Sequence, residues 1–192
     1  MSFQNDVAIS YIINTEHSTV NWKGFKIGSE HSGKVAMKEG TLLMEEGKLK
    51  GGKFVIDMTT ITCEDLADEE KNAKLVGHLK SPDFFNTAED SIATYVINKT
   101  IPYGREQVED QEYFRETFKV IGDLTIKGIT KPLKTQVIIY DYGSSISGVA
   151  RLKIDRSDFD VKYGSGSFFD ELGDKVIYDE IQLDINVSAR PK

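Results

Sequence analysis

The chain has 192 residues, of which 39% are hydrophobic and 29% are charged, and its formal net charge is −7. This length suits one large domain over residues 1–192, and a negative charge spread along the chain argues against nucleic-acid binding, which needs a concentrated basic patch. No window approaches eighteen apolar residues, so no membrane insertion is predicted.

The cysteine count and the N-terminal residues both bear on the compartment of the protein. The single cysteine, Cys63, excludes an intramolecular disulfide. The first residues, MSFQNDVAIS, lack the basic region and apolar run of a secretory signal. These features favour a cytoplasmic protein. A periplasmic or secreted protein would require that a signal was removed before this sequence was written.

Short strands are predicted throughout the first third of the chain, because apolar and polar residues alternate with a period of two. Residues 1–8 form a loose lead-in, and a polar connection at 29–33 separates the second strand from the third. Gly51-Gly52 predicts a bulge that bends the last of these strands. The predicted strands cover residues 9–14, 19–27, 34–38, 41–45 and 48–58.

Residues 62–80 lack the two-residue period of the preceding strands and predict one or two short helices. The better supported helix covers residues 71–79. Acidic residues crowd the start of this segment and lysines come later, which complements a helix dipole. Ser81-Pro82-Asp83 ends the helix, and Phe84-Phe85 follows as an apolar plug.

Alternation is strictest in FKVIGDLTIKGITKP, residues 118–132. Its even positions up to 126 are apolar or glycine and, apart from Ile121, its odd positions are polar, as in a strand with one dry face. Segment 128–132 breaks the pattern, because glycine tolerates unusual dihedral angles and proline cannot donate to a ladder. Since alternation resumes at Leu133, an antiparallel hairpin is predicted.

The remaining strands of the second half are joined by a charged loop at 102–112 and by an irregular segment at 156–170. The last strand carries Ile181, Leu183 and Ile185 on one face. The predicted strands cover residues 92–101, 113–127, 133–140, 146–155 and 177–189.

The predicted fold is therefore all-β, with eight to ten antiparallel strands and one helical insertion around residues 62–80. A sheet with one dry face must stack on another sheet or close on itself. Long strands with glycine bends favour a closed barrel, although the period of two is compatible with either arrangement.

Four segments, in this order along residues 11–189, resemble the YceI-like family: EHSTVNWKG, KLVGHLKSPDFF, VIGDLTIKGITKP and RLKIDRSDFDV. The resemblance implies a lipocalin-like antiparallel β-barrel of bacterial type, often a homodimer, whose long apolar interior holds a polyisoprenoid or similar lipid. Asp160 stands where members of the family usually carry glycine.

The candidate ligand-binding residues come from the dry faces and from the two aromatic pairs, Phe84-Phe85 and Phe168-Phe169. They either line a cavity or form a packed core, and the pairs either form a mouth or lid or close the barrel ends. The resemblance favours a cavity that holds a polyisoprenoid or fatty lipid, with no other cofactor. The residues are Phe54, Ile56, Leu79, Phe84, Phe85, Phe118, Val120, Leu124, Ile126, Ile154, Phe168, Ile181 and Leu183.

Two polar residues are candidate head-group contacts. His78 lies in the second family-like segment, where an orienting hydrogen bond is the preferred interpretation. Arg156 either pairs with a phosphate or carboxylate of the ligand or forms a structural ion pair beside Asp155 and Asp158. No two histidines have metal-ligand spacing and Cys63 is distant in sequence, so no metal site is predicted.

No sequence motif indicates catalysis, since GxSxG, Walker A, GxGxxG and CxxC are all missing. A cysteine–histidine dyad at Cys63 has no specific support, because nothing in the sequence gives that thiol a partner. The prediction is a non-catalytic protein that stores, transports or sequesters a polyisoprenoid or isoprenoid-quinone chain. Its alternatives are an enzyme acting on a small apolar substrate inside the barrel and an interaction module with a solid core.

Overall fold

The strands form one antiparallel sheet that closes on itself. The computed structural model describes residues 8–108, 113–169 and 172–192, so nearly all of the predicted lead-in, 1–8, lies outside the described residues. Within the described ranges the strands are β1 (Ile9–Ile13), β2 (Thr19–Lys26), β3 (Ser29–Glu45), β4 (Lys48–Asp57), β5 (Ile92–Gln107), β6 (Phe114–Ile126), β7 (Ile129–Asp141), β8 (Ile146–Asp155) and β9 (Ile177–Pro191).

Closure follows from the strand order β1-β3-β2-β9-β8-β7-β6-β5-β4 together with the additional pairs β3–β4 and β1–β9. β1 and β2 both lie between β3 and β9, and a 3-10 turn at Thr15–His17 separates them. They therefore share one place in the ring, and the described strands build an eight-stranded barrel. The predicted lipocalin-like barrel is confirmed.

The predicted dry face of β6 points into the barrel. Phe118 and Val120 are fully buried and Ile126 is nearly so, while Lys119 is exposed. The predicted bulge in β4 is present as a shift in register, since Leu43 pairs with Gly51 but Met44 pairs with Leu49. The period of two thus predicts the buried face wherever the ladder is regular.

The predicted connection at 29–33 and the two strands at 34–38 and 41–45 are wrong, because β3 is one continuous strand. Its buried side chains are odd-numbered at Val35 and Met37 and even-numbered at Leu42 and Met44. The register against β4 shifts between Met37 and Glu39. A bulge there reverses which positions face the core, and in the sequence that reversal resembles an interruption.

The predicted break at 128–132 is also wrong, because the β6–β7 turn contains only Lys127 and Gly128. Both have positive φ, 50° and 69°, as the tight turns of two-residue hairpins require. Pro132 lies within β7, opposite Asp123. The described pairing of β7 with β8 begins only at Val137, so Pro132 occupies a stretch with β6 as its one neighbour, where proline is tolerated.

The charged loop predicted at 102–112 starts too early. β5 continues to Gln107 and pairs there with Phe114 of β6, while residues 109–112 lie outside the described chain. β4 pairs with β5 only as far as Ile97. Beyond that point the strand is exposed, so polar residues on both of its faces are compatible with strand structure.

The helical insertion is a single helix, α1 (Glu69–Lys80), within the predicted segment. Asp68 caps it by accepting a hydrogen bond from the backbone N–H of Lys71 at 2.9 Å. Leu79, Phe84 and Phe85 are buried, so α1 and the turn after it close one end of the barrel. In the described ranges, no helix combines the length and hydrophobicity needed to cross a bilayer.

The irregular segment begins with a 3-10 turn, Arg156–Phe159, that ends at Asp160 in the left-handed conformation with φ 58°. Glycine adopts this region without strain, and aspartate is among the side chains that tolerate it best. Asp160 therefore fits this turn, although the family resemblance led us to expect glycine there.

Candidate ligand-binding site

The interior of the barrel contains two cavities. The larger has a volume of about 260 Å³ and the smaller about 130 Å³. They abut, because the side chains of Val20, Ile56, Leu124 and Leu183 line both. Small-molecule sites usually measure about 300–1,000 Å³. The combined space therefore suits a slender guest.

The smaller cavity is walled by aliphatic and aromatic side chains from the middle of the barrel. Phe54 and Val120 lie in its wall with Leu133, Ile139 and Leu152. A tyrosine hydroxyl also approaches this wall, and it donates a hydrogen bond to the backbone carbonyl of Leu133 at 3.3 Å.

That hydroxyl belongs to Tyr95. Burial, reinforced by the charge of Asp123, raises its pKa to about 12. The phenol therefore stays protonated at physiological pH and keeps its donor committed to the barrel wall. No lining group of this chamber carries a formal charge, so it favours hydrocarbon.

The larger cavity lies under α1. Leu75 and Leu79 reach it from the helix, and Phe84 and Phe85 reach it from the turn that follows. The rings of Phe84 and Phe85 contact edge to face, with centroids 5.3 Å apart. This buried aromatic pair lies in the lining of the chamber at the end of the barrel that α1 closes, and its role as a mouth or lid stays a prediction.

The exposed residues of the larger cavity's lining lie on β2 and β9. They are Lys26 and Tyr178. The register of β2 against β9 shifts between Gly24 and Lys26. A bulge of this kind locally disrupts the hydrogen bonds between two strands. Here it lies next to Lys26, one of the exposed lining residues.

His78 contributes the unsatisfied polar atom of the larger cavity. Its ring lies between Phe84, with centroids 5.4 Å apart, and Tyr163, with centroids 4.5 Å apart. Its Nε2 is buried and has no hydrogen-bond partner among the described residues. A buried polar atom without a partner is costly, so this nitrogen is a natural contact for a polar group on a guest.

Arg156 is 1% exposed and its guanidinium is committed to the protein. Nε donates to the carbonyl of Tyr178 at 3.1 Å, Nη1 to that of Val161 at 2.6 Å, and Nη2 to that of Ile177 at 3.0 Å. Nη2 also lies 3.2 Å from the Asp179 carboxylate. Burial lowers the pKa of the guanidinium, whereas the nearby aspartates raise it.

Arg156 therefore forms a structural ion pair, which is one of the two interpretations of the sequence. Its partner is Asp179 and not the neighbouring Asp155 or Asp158. The sequence carried a signal for this partner. Asp179 falls on the same odd-numbered face of β9 as Ile177 and Ile181, where a lone carboxylate needs a cation.

Most of the predicted ligand-binding residues line the two cavities, and their role in binding stays a prediction. Phe118 instead is fully buried and belongs to the packed core, outside the lining of both chambers. Ile56, Leu124 and Leu183 line both cavities, Phe54 and Val120 line the smaller, and Leu79, Phe84, Phe85, Ile126, Ile154, Ile181, His78 and Arg156 line the larger.

Phe168 does not reach either cavity, which corrects its prediction as a ligand contact. Its side chain and that of Phe169 are half exposed, and Lys162 Nζ lies 4.9 Å from the Phe168 ring centroid. Ser165 turns inward instead. Its hydroxyl donates to Asp179 at 2.8 Å, and this buried contact orients the turn with its phenyl groups outward.

Comparisons with known proteins agree with this architecture. The chain is 28% identical to Protein YceI of Escherichia coli O157:H7 over 169 residues, 83% of this chain and 80% of that protein. It is 26% identical to a UPF0312 protein of Vibrio parahaemolyticus over 175 residues, 85% and 84% of the two chains.

Two solved structures share the fold. BcnA of Burkholderia cenocepacia matches with a TM-score of 0.65 and 21% identity over 92% of this chain and 98% of that one. A polyisoprenoid binding domain of Saccharophagus degradans matches with a TM-score of 0.69 and 14% identity over 96% and 99%.

The sequence model of the YceI-like domain matches residues 11–189, the same range over which the four segments resemble that family. Because this match spans nearly the whole chain, the protein belongs to the YceI-like domain family.

Proposed function

We propose that the protein binds a long apolar lipid of the polyisoprenoid or isoprenoid-quinone type inside the barrel, for storage, transport or sequestration. The observation that carries this proposal is the pair of abutting apolar chambers. The similar fold of a polyisoprenoid binding domain from Saccharophagus degradans supports it. A homodimer, expected from the family resemblance, stays a prediction.

The hydrophobic effect would supply the affinity. Each buried methylene contributes about 0.8 kcal/mol, so a five-carbon isoprene unit contributes about 4 kcal/mol before ordering costs. The two chambers share four lining side chains, so a guest that extends from one chamber into the other would pass between them. A linear chain that threads this path buries more surface than a compact guest confined to one chamber.

The polar end of the guest would lie in the larger chamber. Arg156 is already engaged with the protein, because backbone carbonyls and the Asp179 carboxylate contact all three of its side-chain nitrogens. The side chain of His78 lines this chamber, and its buried Nε2 has no partner in the described chain. A hydroxyl or carbonyl on the lipid matches this nitrogen better than a diphosphate, which requires cations.

Two groups that an enzyme could use, a buried carboxyl and a thiol, give the enzyme alternative no support. Glu116 is a buried carboxyl on the inward face of β6 whose pKa is raised by burial, but it lines neither chamber. The thiol of Cys63 donates to Asp65 at 3.2 Å, and burial and that contact raise its pKa. A nucleophilic cysteine needs the opposite shift.

Native mass spectrometry of the protein after gentle purification tests the proposal. We expect a co-purifying lipid with the mass of an isoprenoid, and stoichiometric uptake of a labelled isoprenoid after the lipid is extracted. A protein that is free of ligand and takes up no isoprenoid would support the interaction-module alternative instead.

Replacing His78 with leucine is expected to weaken binding of an isoprenoid alcohol by about 2- to 10-fold, the effect of one hydrogen bond worth about 0.5–1.5 kcal/mol. An isoprenoid hydrocarbon of the same length should bind equally well to both proteins. Fluorescence competition measures the two affinities, and His17→Leu, an exposed substitution, is the control. An equal loss for both ligands would mean that His78 acts only through packing.

A further inference from the structure

A cluster of three potential metal ligands lies beside the larger cavity, although the sequence predicted no metal site. His31 Nδ1, Cys63 Sγ and a carboxylate oxygen of Asp65 all lie within 4.8 Å of one another. Asp65 is the centre of the cluster, since one of its oxygens is 2.9 Å from His31 Nδ1 and the other accepts from Cys63 at 3.2 Å. The prediction that nothing gives this thiol a partner is therefore wrong.

The fold brings these residues together by docking the segment before α1 on β3. The backbone N–H of Glu64 donates to the carbonyl of Ser32 at 2.8 Å, and that of Thr62 donates to Lys34 at 2.9 Å. Gly33 permits this close approach, because a Cβ there would meet the carbonyl oxygen of Thr62. The cluster is thus fixed by backbone contacts on both sides.

The surroundings also orient the individual ligands. The backbone N–H of Ser32 donates to Asp65 at 2.7 Å and holds the carboxylate toward His31. Asn72 of α1 donates to the carbonyls of Cys63 and Leu66 at 2.9 and 3.0 Å. Supporting hydrogen bonds of this kind are what orient metal ligands in proteins.

The chemistry of the three groups suits zinc. Thiolate, imidazole and carboxylate are its common ligands, with Zn–S near 2.3 Å and Zn–N or Zn–O near 2.0–2.2 Å. Thiolate and carboxylate together neutralise the charge of a divalent ion. Cys63 is buried whereas Asp65 is exposed, so the fourth position of a tetrahedral site would be accessible to water.

We propose that His31, Cys63 and Asp65 form a zinc site that fastens the segment before α1 to β3. Binding forms three metal–ligand bonds, breaks the Cys63 S–H bond with release of that proton to solvent, and requires the neutral His31 tautomer that carries its proton on Nε2, in place of the hydrogen bond from Nδ1 to Asp65. Because His31 also lines the larger cavity and the segment leads into α1, the ion would stabilise the wall that carries Leu75 and Leu79. This site does not depend on the identity of the lipid.

Titration of the metal-free protein with Co²⁺, a spectroscopic substitute for zinc, tests the assignment. We expect one equivalent to bind with a thiolate-to-cobalt charge-transfer band in the near ultraviolet, and Zn²⁺ to displace it. At free zinc 100-fold above Kd, Tm should rise by about 5–10 °C. Cys63→Ser should abolish the band, and Asp65→Asn should weaken binding by at least about 10-fold.

Glu64→Gln is the matched control, since this neighbouring acid pairs with Lys34 at 2.9 Å and is not a proposed ligand. It should bind cobalt as the unmodified protein does. Absence of a thiolate band in the unmodified protein, or undiminished affinity in Asp65→Asn, would overturn the proposal. These two readouts decide the question even if Cys63→Ser does not fold, which circular dichroism would reveal.

Discussion

Leu124→Trp and Leu183→Trp are each expected to reduce uptake of a long isoprenoid by at least about 100-fold while the barrel stays folded. Both leucines line both chambers, so an indole at either position would obstruct the junction between them. A chain excluded from the smaller chamber loses the burial of roughly one isoprene unit, about 4 kcal/mol. Uptake of a labelled isoprenoid, followed by native mass spectrometry, measures the effect.

Overpacking a core costs about 1–3 kcal/mol, so circular dichroism and Tm must accompany the binding measurement. Leu124→Met and Leu183→Met conserve volume and serve as the matched controls, for which uptake should be close to normal. If both tryptophan variants are folded and still bind the isoprenoid normally, these leucines do not line the route of the guest, and the two-chamber site is wrong.

The barrel was predictable because its strands are regular over most of their length. In β6 every second residue from Phe118 to Ile126 faces inward, and the two-residue turn that follows keeps this register against β7. The family resemblance then decided between a barrel and a sandwich, which periodicity could not. Closure itself depends on the β3–β4 and β1–β9 pairs, contacts between strands that alternation alone does not reveal.

The errors occurred where a local signal has two meanings. In β3 the buried positions change from odd-numbered at Met37 to even-numbered at Leu42, a change that either a bulge or a loop produces in a sequence. Pro132 ends most strands but is tolerated where one side of the strand has no neighbour. Only the pairing partners, which are distant in sequence, distinguish these cases.

Most of the residues predicted from inward parity do lie in the lining of a cavity, but whether an inward side chain lines a space or fills it could not be predicted. Phe118 and Val120 lie on the same face of β6, yet Val120 lines the smaller chamber and Phe118 is packed in the core. The difference depends on which residues of other strands oppose them. The meeting of His31 with Cys63 and Asp65 was hidden for the same reason.

Replacing Arg156 with methionine is expected to destabilise the protein by about 3–5 kcal/mol, because removing one partner of a buried ion pair leaves the other uncompensated. Here the loss would leave the Asp179 carboxylate without its cation and would remove a donor from the carbonyls of Val161, Ile177 and Tyr178. For a chain of this length, 3–5 kcal/mol corresponds to a fall in Tm of about 6–20 °C. Urea unfolding and calorimetry measure both quantities.

Arg151, on the strand that precedes Arg156, provides the matched control, since its exposed guanidinium pairs with Asp184 at 2.6 Å. Exposed ion pairs contribute about 0–1 kcal/mol, so Arg151→Met should change stability little. Adding Asp179→Asn to Arg156→Met should recover part of the loss, because the amide removes the unpaired charge while keeping an oxygen that can accept from Ser165. An equal loss of stability in the two arginine variants would show that the buried guanidinium does not hold β9 to the segment after β8. In that case apolar packing alone would stabilise this end of the barrel.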